Sequence, residues 1–75
     1  MALTWRDAAI EALRINGVSN TADILRVIAE RGLREVSGAT PEATIGAVLY
    51  TAIQDGDPRI RFVGPGLFEH TGSTV

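Results

Sequence analysis

The chain has 75 residues, no cysteine and one histidine, and its seven basic and nine acidic residues leave a net charge of −2. This length suits one small domain of modest stability. The absence of cysteine excludes disulfides and thiolate metal sites, one histidine cannot build a metal cluster without several carboxylates, and the acidic balance gives no general attraction to polyanions.

No apolar stretch approaches the roughly 18 residues of a membrane span, and the first residues lack the features of a secretory signal. We therefore expect a single domain over residues 1–75 that has no membrane association, no cofactor and no metal. Its expected location is the cytoplasm, or the nucleoid in a prokaryote, and its expected state is a monomer. Residues 72–75 are predicted to be a frayed tail.

The first helix is predicted to begin at Thr4, because a threonine hydroxyl caps a first turn and Asp7 follows in a capping-box-like arrangement. It is predicted to end at Asn16–Gly17, where Gly17 can take the left-handed conformation that ends helices. One face is apolar and predicts packing on a core: Trp5, Ala9, Ala12 and Leu13, with Ile10 on its flank.

The second helix is predicted to begin after Asn20 or Thr21, either of which can cap it. Its apolar side is Ile24, Leu25, Val27 and Ile28. The order Arg31–Gly32–Leu33 predicts a Schellman ending, in which Leu33 folds back on Ile28. Residues 34–39 form a connector.

The third helix has the clearest start. Thr40 is predicted to cap it with its hydroxyl, Pro41 fits the first helical position, and Glu42 complements the helix dipole. A core-facing stripe follows at Ile45, Val48, Leu49, Ala52 and Ile53. Gly46 lowers helix propensity, which favours close approach of another backbone at this point. The other face is nearly uncharged: Ala43, Thr44, Ala47, Tyr50, Thr51 and Gln54.

A β-hairpin is predicted after the Gly56 and Pro58 break. If residues 64–66 form a three-residue loop, the pairs are Val63 with Leu67, Phe62 with Phe68, Arg61 with Glu69, and Ile60 with His70. Both phenylalanines are then predicted to attach the hairpin to the helical core. Three helices followed by a hairpin predict a mainly α (α+β) winged helix-turn-helix, with an unrelated three-helix bundle as the alternative.

The order and spacing of several short motifs resemble the HARE-type helix-turn-helix domain over roughly residues 3–71. That module is similar to the N-terminal domain of the bacterial RNA polymerase delta subunit, and it occurs in additional-sex-combs-like chromatin proteins and some restriction endonucleases. The matching features are "TWRDAAIEALR", Thr21 with Ile24, "RGL", Thr40–Pro41, Leu49–Tyr50, Phe62, Gly66 and Phe68.

The resemblance implies a winged-helix fold and a role in transcription, chromatin or restriction. For duplex DNA as the partner, the third helix would fit the groove through short neutral residues, and Arg34, Arg59 and Arg61 would contact phosphates. So few arginines predict weak binding. The complete set of candidate contact residues is Arg34, Thr40, Ala43, Thr44, Ala47, Tyr50, Thr51, Arg59 and Arg61.

Two other functions are weighed against DNA binding. The neutral face of the third helix also suits docking on RNA polymerase or another DNA-bound protein, with Tyr50 as an aromatic anchor. Arginines gathered beside the third helix and the wing favour DNA, whereas scattered arginines favour docking. Catalysis is not expected, because Glu69 and His70 are strand neighbours on opposite faces and "DGDP" is ordinary turn chemistry.

Overall fold

The computed structural model describes residues 3–36 and 40–71, so the predicted frayed tail at 72–75 lies outside the described residues. Three helices come first: α1 (Trp5–Asn16), α2 (Thr21–Arg31) and α3 (Pro41–Gln54). Two antiparallel strands follow, β1 (Ile60–Gly64) and β2 (Leu67–His70). This order confirms the predicted winged helix-turn-helix, in which the hairpin is the wing.

Most helix ends follow their sequence signals. Gly17 ends α1 as predicted, but its φ of 82° and ψ of −157° lie outside the predicted left-handed helical conformation. The side chains of Thr4 and Asn20 accept hydrogen bonds from the backbone N–H three residues on, at 3.1 and 2.8 Å. Gly32 is left-handed at φ 61°, and the N–H of Leu33 donates to the carbonyl of Ile28 at 3.0 Å. The predicted Schellman ending of α2 is therefore confirmed.

The start of α3 differs from the prediction in one respect. Thr40 precedes the helix, but its hydroxyl makes no capping hydrogen bond. Its carbonyl instead accepts from the N–H of Thr44 at 3.1 Å and from the Thr44 hydroxyl at 3.3 Å. The predicted side-chain cap is wrong, and the helix start rests on Pro41, whose missing N–H needs no partner there.

One apolar core joins all three helices to the wing. Each helix contributes one face of small and branched side chains, as their periodicity predicted. The buried apolar residues are Ala8, Ala9, Ile10, Ala12 and Leu13 of α1, Ile24, Val27 and Ile28 of α2, Ile45, Leu49 and Ala52 of α3, and Ile60 and Phe68 of the wing.

The hairpin has the predicted register in three of its four pairs. Ile60 lies opposite His70, Arg61 opposite Glu69, and Phe62 opposite Phe68. The fourth pair is wrong, because Gly64 and not Val63 lies opposite Leu67. Pro65 and Gly66 form a two-residue turn with Gly66 at φ 68°, as expected of a type II turn, and the register shift beside Val63 accommodates it.

The loop between α1 and α2 supplies a third extended element that the sequence pattern did not reveal. Ser19 forms an antiparallel bridge with Phe68, donating from its N–H at 3.0 Å and accepting at its carbonyl at 2.9 Å. Ser19 is buried, and its hydroxyl donates to the carbonyl of Gly17. Strand β2 is therefore paired on both sides, whereas β1 pairs only with β2 among the described residues.

Two packing predictions need correction. Phe68 is buried at 4% exposure, but Phe62 is 40% exposed, so only one of the two phenylalanines joins the core, beside Ile60. At Gly46, an added Cβ would lie 3.7 Å from the Cγ2 atom of Thr21, an ordinary contact with a side chain. No backbone outside α3 among the described residues comes close enough to require glycine there.

Within residues 3–36 and 40–71, no helix has the length and apolar character needed to cross a membrane. The same residues contain no group of three or more metal-ligating side chains.

Candidate nucleic-acid interface

The outward face of α3 carries most of the predicted contact residues. Ala43, Ala47, Tyr50 and Thr51 are exposed on successive turns, and Thr44 is partly exposed. Residues 41–54 contain no basic side chain, and Glu42 is their only charged one. This face is therefore neutral along its length and acidic at its start.

An exposed aromatic pair joins α3 to the wing. Tyr50 is 54% exposed, and its ring packs edge to face on Phe62 with the centroids 5.4 Å apart. Phe62 in turn contacts the buried Phe68 at 5.0 Å. Aromatic contacts of this kind contribute roughly 0.5–1.5 kcal/mol beyond area burial. The Tyr50–Phe62 pair therefore forms an apolar edge beside the α3 face, and Phe68 packs behind it. The sequence did not predict this pair, because Phe62 was assigned to the core.

Arg59 is held at the base of the wing by two carboxylates. Its guanidinium donates to Asp57 at 3.0 and 2.8 Å, and its Nη1 lies 3.4 Å from Asp7 on α1. Hydrogen bonding from Arg59 lowers the pKa of Asp57 to about 2. The Asp57 side chain is only 8% exposed, so this pair is partly shielded from solvent. Arg59 is therefore committed to an internal contact on the α1 side of the wing.

Arg61 is the more available of the two wing arginines. It pairs across the hairpin with Glu69 at 2.8 Å, but its side chain is 64% exposed. Exposed ion pairs of this kind contribute at most about 1 kcal/mol and exchange partners readily. A phosphate could therefore replace Glu69 as the partner of Arg61 at small cost.

Arg34 lies after α2 and turns back to the start of α1. Its Nη1 donates to the carbonyl of Leu3 at 2.6 Å, and its guanidinium carbon lies 5.1 Å from the centroid of the Trp5 ring. These contacts tie the connector to α1. The structure thus brings Thr44, Tyr50 and their neighbours together on one face of α3. None of the contacts of Arg34 and Arg59 described above goes to α3.

The other arginines with ion-pair partners are spread around the domain. Arg6 pairs with Asp55, Arg14 with Glu11, and Arg26 with Asp23 and Glu30. None of these pairs lies on the outward face of α3. By the criterion set from the sequence, this scattered and internally paired arrangement favours docking and limits the electrostatic attraction available for DNA.

The order of elements and the exposed α3 face define a winged helix-turn-helix domain. The chain belongs to the HARE-HTH family, whose model describes a helix-turn-helix domain of ASXL proteins and restriction endonucleases and matches residues 3–72. This is a DNA-binding helix-turn-helix family, and the match confirms the resemblance drawn from the sequence motifs.

A similar sequence occurs in the human Polycomb group protein ASXL3. The two are 41% identical over 56 residues, which is 72% of this chain but only 2% of ASXL3. The chain thus spans a very small part of that relative. No solved structure matches.

Proposed function

We propose that this domain is an accessory DNA-contacting module, which binds duplex DNA weakly through the outward face of α3 and the wing. The observation that carries the proposal is the exposed row of short side chains on α3, together with a wing arginine whose ion pair is open to solvent. Short side chains allow a helix backbone to come close to base edges, and alanine and threonine methyl groups suit contact with thymine. The chain's family is a DNA-binding helix-turn-helix family, which supports DNA as the first candidate although the scattered arginines favour docking.

Weak binding follows from the electrostatics. Arg61 is the wing arginine that can exchange its carboxylate partner for a phosphate at the smallest cost in free energy. Arg59 instead pairs with the shielded Asp57. Glu42 at the start of α3 opposes a phosphate where a helix N-terminus would otherwise attract one. One or two phosphate contacts give low affinity with a shallow dependence on salt.

The test is an NMR titration with a mixed-sequence DNA duplex at low and moderate salt, comparing wild type with Arg61→Gln. We expect shifts on α3 and the wing tip. Arg61→Gln should weaken binding to every duplex about three- to fivefold and flatten the logarithmic salt slope by about one.

The matched control is Arg14→Gln, which removes an exposed, ion-paired arginine from α1 with the same change in net charge. It should leave affinity near that of wild type. Thr44→Glu should abolish the α3 shifts, since it adds a carboxylate to the proposed contact face. Equal losses in both arginine variants, or shifts confined to α1, would contradict the proposal.

Protein docking through the same face is the second candidate. The exposed Tyr50 and Phe62 pair favours it, because a supported aromatic anchor beside small residues is typical of interface hot spots. The RNA polymerase docking implied by the delta-subunit resemblance belongs to this candidate. Absence of DNA-induced shifts at low salt, together with loss of a partner complex in a folded Tyr50→Ala variant, would favour docking over DNA.

A further inference from the structure

A second surface lies away from α3, between α1 and the base of the wing. It is a solvent-open groove of about 490 Å³, within the size range of ligand pockets. None of its lining residues belongs to α3. They are Leu3, Asp7, Ile10 and Glu11 along one side of α1, Leu33 after α2, and Arg59 and His70 of the wing.

The floor and the rim of this groove differ in chemistry. Leu3, Ile10 and Leu33 supply an apolar floor that is continuous with the hydrophobic core. Asp7 and Glu11 stand on the rim one helical turn apart, both with part of the carboxylate side chain exposed. An apolar floor beside two carboxylates suits a ligand that is aliphatic and cationic at once.

The groove remains acidic when its internal ion pairs are counted. Arg59 is the only lining residue with a fixed positive charge, and its shorter contacts go to Asp57, at 2.8 and 3.0 Å. Asp7 receives only the longer 3.4 Å contact. Glu11 pairs with Arg14, whose hydrogen bond lowers the pKa of Glu11 and keeps it ionised. The lining thus has two carboxylates and one guanidinium group, and with the ion-pair partners Asp57 and Arg14 outside the lining the count is three against two.

We infer that this groove docks a cationic amphipathic helix of a partner protein, as a second interface independent of the α3 face. The charge of the rim disfavours nucleic acid and anionic lipid surfaces as occupants. The one-turn separation of Asp7 and Glu11 matches lysine or arginine residues spaced i, i+4 on a partner helix. Leucines on the same face of that helix would enter the floor, which is how amphipathic helices occupy hydrophobic grooves.

The probe is a synthetic alanine-based peptide of about 14 residues, long enough to populate a helix, with Lys at i and i+4 and Leu at i+3 and i+7. It is titrated into the ¹⁵N-labelled chain, and NMR shifts are followed. We expect fast-exchange shifts at residues 7, 10, 11 and 33, and none along α3. Peptides with Glu in place of Lys, or Ser in place of Leu, should not bind.

The protein variant for this test is Asp7→Asn with Glu11→Gln. Removing two exposed ion-pair partners should weaken the lysine–leucine peptide about five- to tenfold. Its matched control is Asp23→Asn with Glu30→Gln on α2, which removes one carboxylate from a first turn and another that pairs with Arg26, away from the groove. Thermal melts should show that both variants stay folded.

Several outcomes would overturn the inference. Equal weakening by the α2 control would indicate non-specific charge attraction, and shifts along α3 would move the site to the other face. Absence of shifts at millimolar peptide would remove the groove as a docking site. Dimerisation of the free protein that the Asp7 and Glu11 changes abolish would assign the groove to a second copy of this chain.

Discussion

The two strands of the wing have paired aromatic residues but unequal support. Phe68 on β2 is buried, and its backbone is bonded to Ser19 on the side away from β1. Phe62 on β1 lies directly opposite, yet it is substantially exposed and packs on Tyr50 at the surface. The comparison teaches that Phe68 on β2, together with Ile60 at the start of β1, joins the wing to the core, while Phe62 and the outward face of α3 form an exposed surface.

The largest expected effect is at the anchored strand. Phe68→Ala should lower the free energy of unfolding by about 3–5 kcal/mol, because it removes a buried aromatic ring and leaves a cavity between the wing and the helices. Chemical denaturation or a thermal melt would measure this. A loss below about 1 kcal/mol would show that the wing is not anchored through β2.

The same truncation at the exposed Phe62 on β1 should lower the free energy of unfolding much less. Phe62→Ala removes a partly exposed ring and its edge-to-face contact with Tyr50, so we expect a loss of about 1 kcal/mol. Denaturation of both variants under the same conditions gives the difference directly. Similar losses at the two positions would contradict the contrast between the strands.

A smaller effect tests the ion pair at the base of β1. The folded-state pKa of Asp57 is about 2 and its ordinary value is 3.8, so this carboxylate stabilises the fold above about pH 4 and loses that contribution as the pH falls toward 2. Because Arg59 is partly exposed and screened, we expect a contribution on the order of 1 kcal/mol.

Asp57→Asn is the matching variant, since its amide oxygen can still accept from the backbone N–H of Arg59. Unfolding free energies measured from pH 5 to pH 2 should fall less steeply in Asp57→Asn than in wild type. An NMR titration of the Asp57 carboxyl carbon gives the pKa itself. A folded-state pKa near 4 would show that the Asp57–Arg59 ion pair does not stabilise the wing.

Local signals predicted most of the fold. Apolar periodicity identified the core faces, and the Asn20 cap and the Gly32 ending follow from hydrogen bonds within one turn of helix. Two errors are local, the Thr40 cap and the pair beside the hairpin turn, and the others concern contacts that local patterns do not specify. The Ser19 bridge depends on a loop meeting a distant strand, and the exposure of Phe62 depends on how far the wing leans over α3.

For the candidate site, the composition of the exposed α3 face could be predicted from the sequence, but the long-range partners of the arginines could not. The neutral α3 face can be read from residue spacing, and the structure places Ala43, Ala47 and Tyr50 together as expected. Arg61 and Glu69 were predicted to lie opposite each other, but the long-range partners of two other arginines could not be predicted. Arg59 reaches Asp7, 52 positions away, and Arg34 reaches Leu3, 31 positions away. Such pairings arise only when the elements have packed.

The smallest expected effect concerns how α3 sits on α2. Gly46 is helical, and a Cβ added there would meet only the Thr21 methyl carbon, at the ordinary contact distance of 3.7 Å. Gly46→Ala should therefore raise the free energy of unfolding by about 0.5–1 kcal/mol, because alanine restricts the unfolded chain and favours the helix. Gly32→Ala is the control and should destabilise, since φ there is 61°. A loss of stability in Gly46→Ala would show that α3 approaches α2 more closely than this contact indicates, and that the outward face of α3 is set by tight packing behind it.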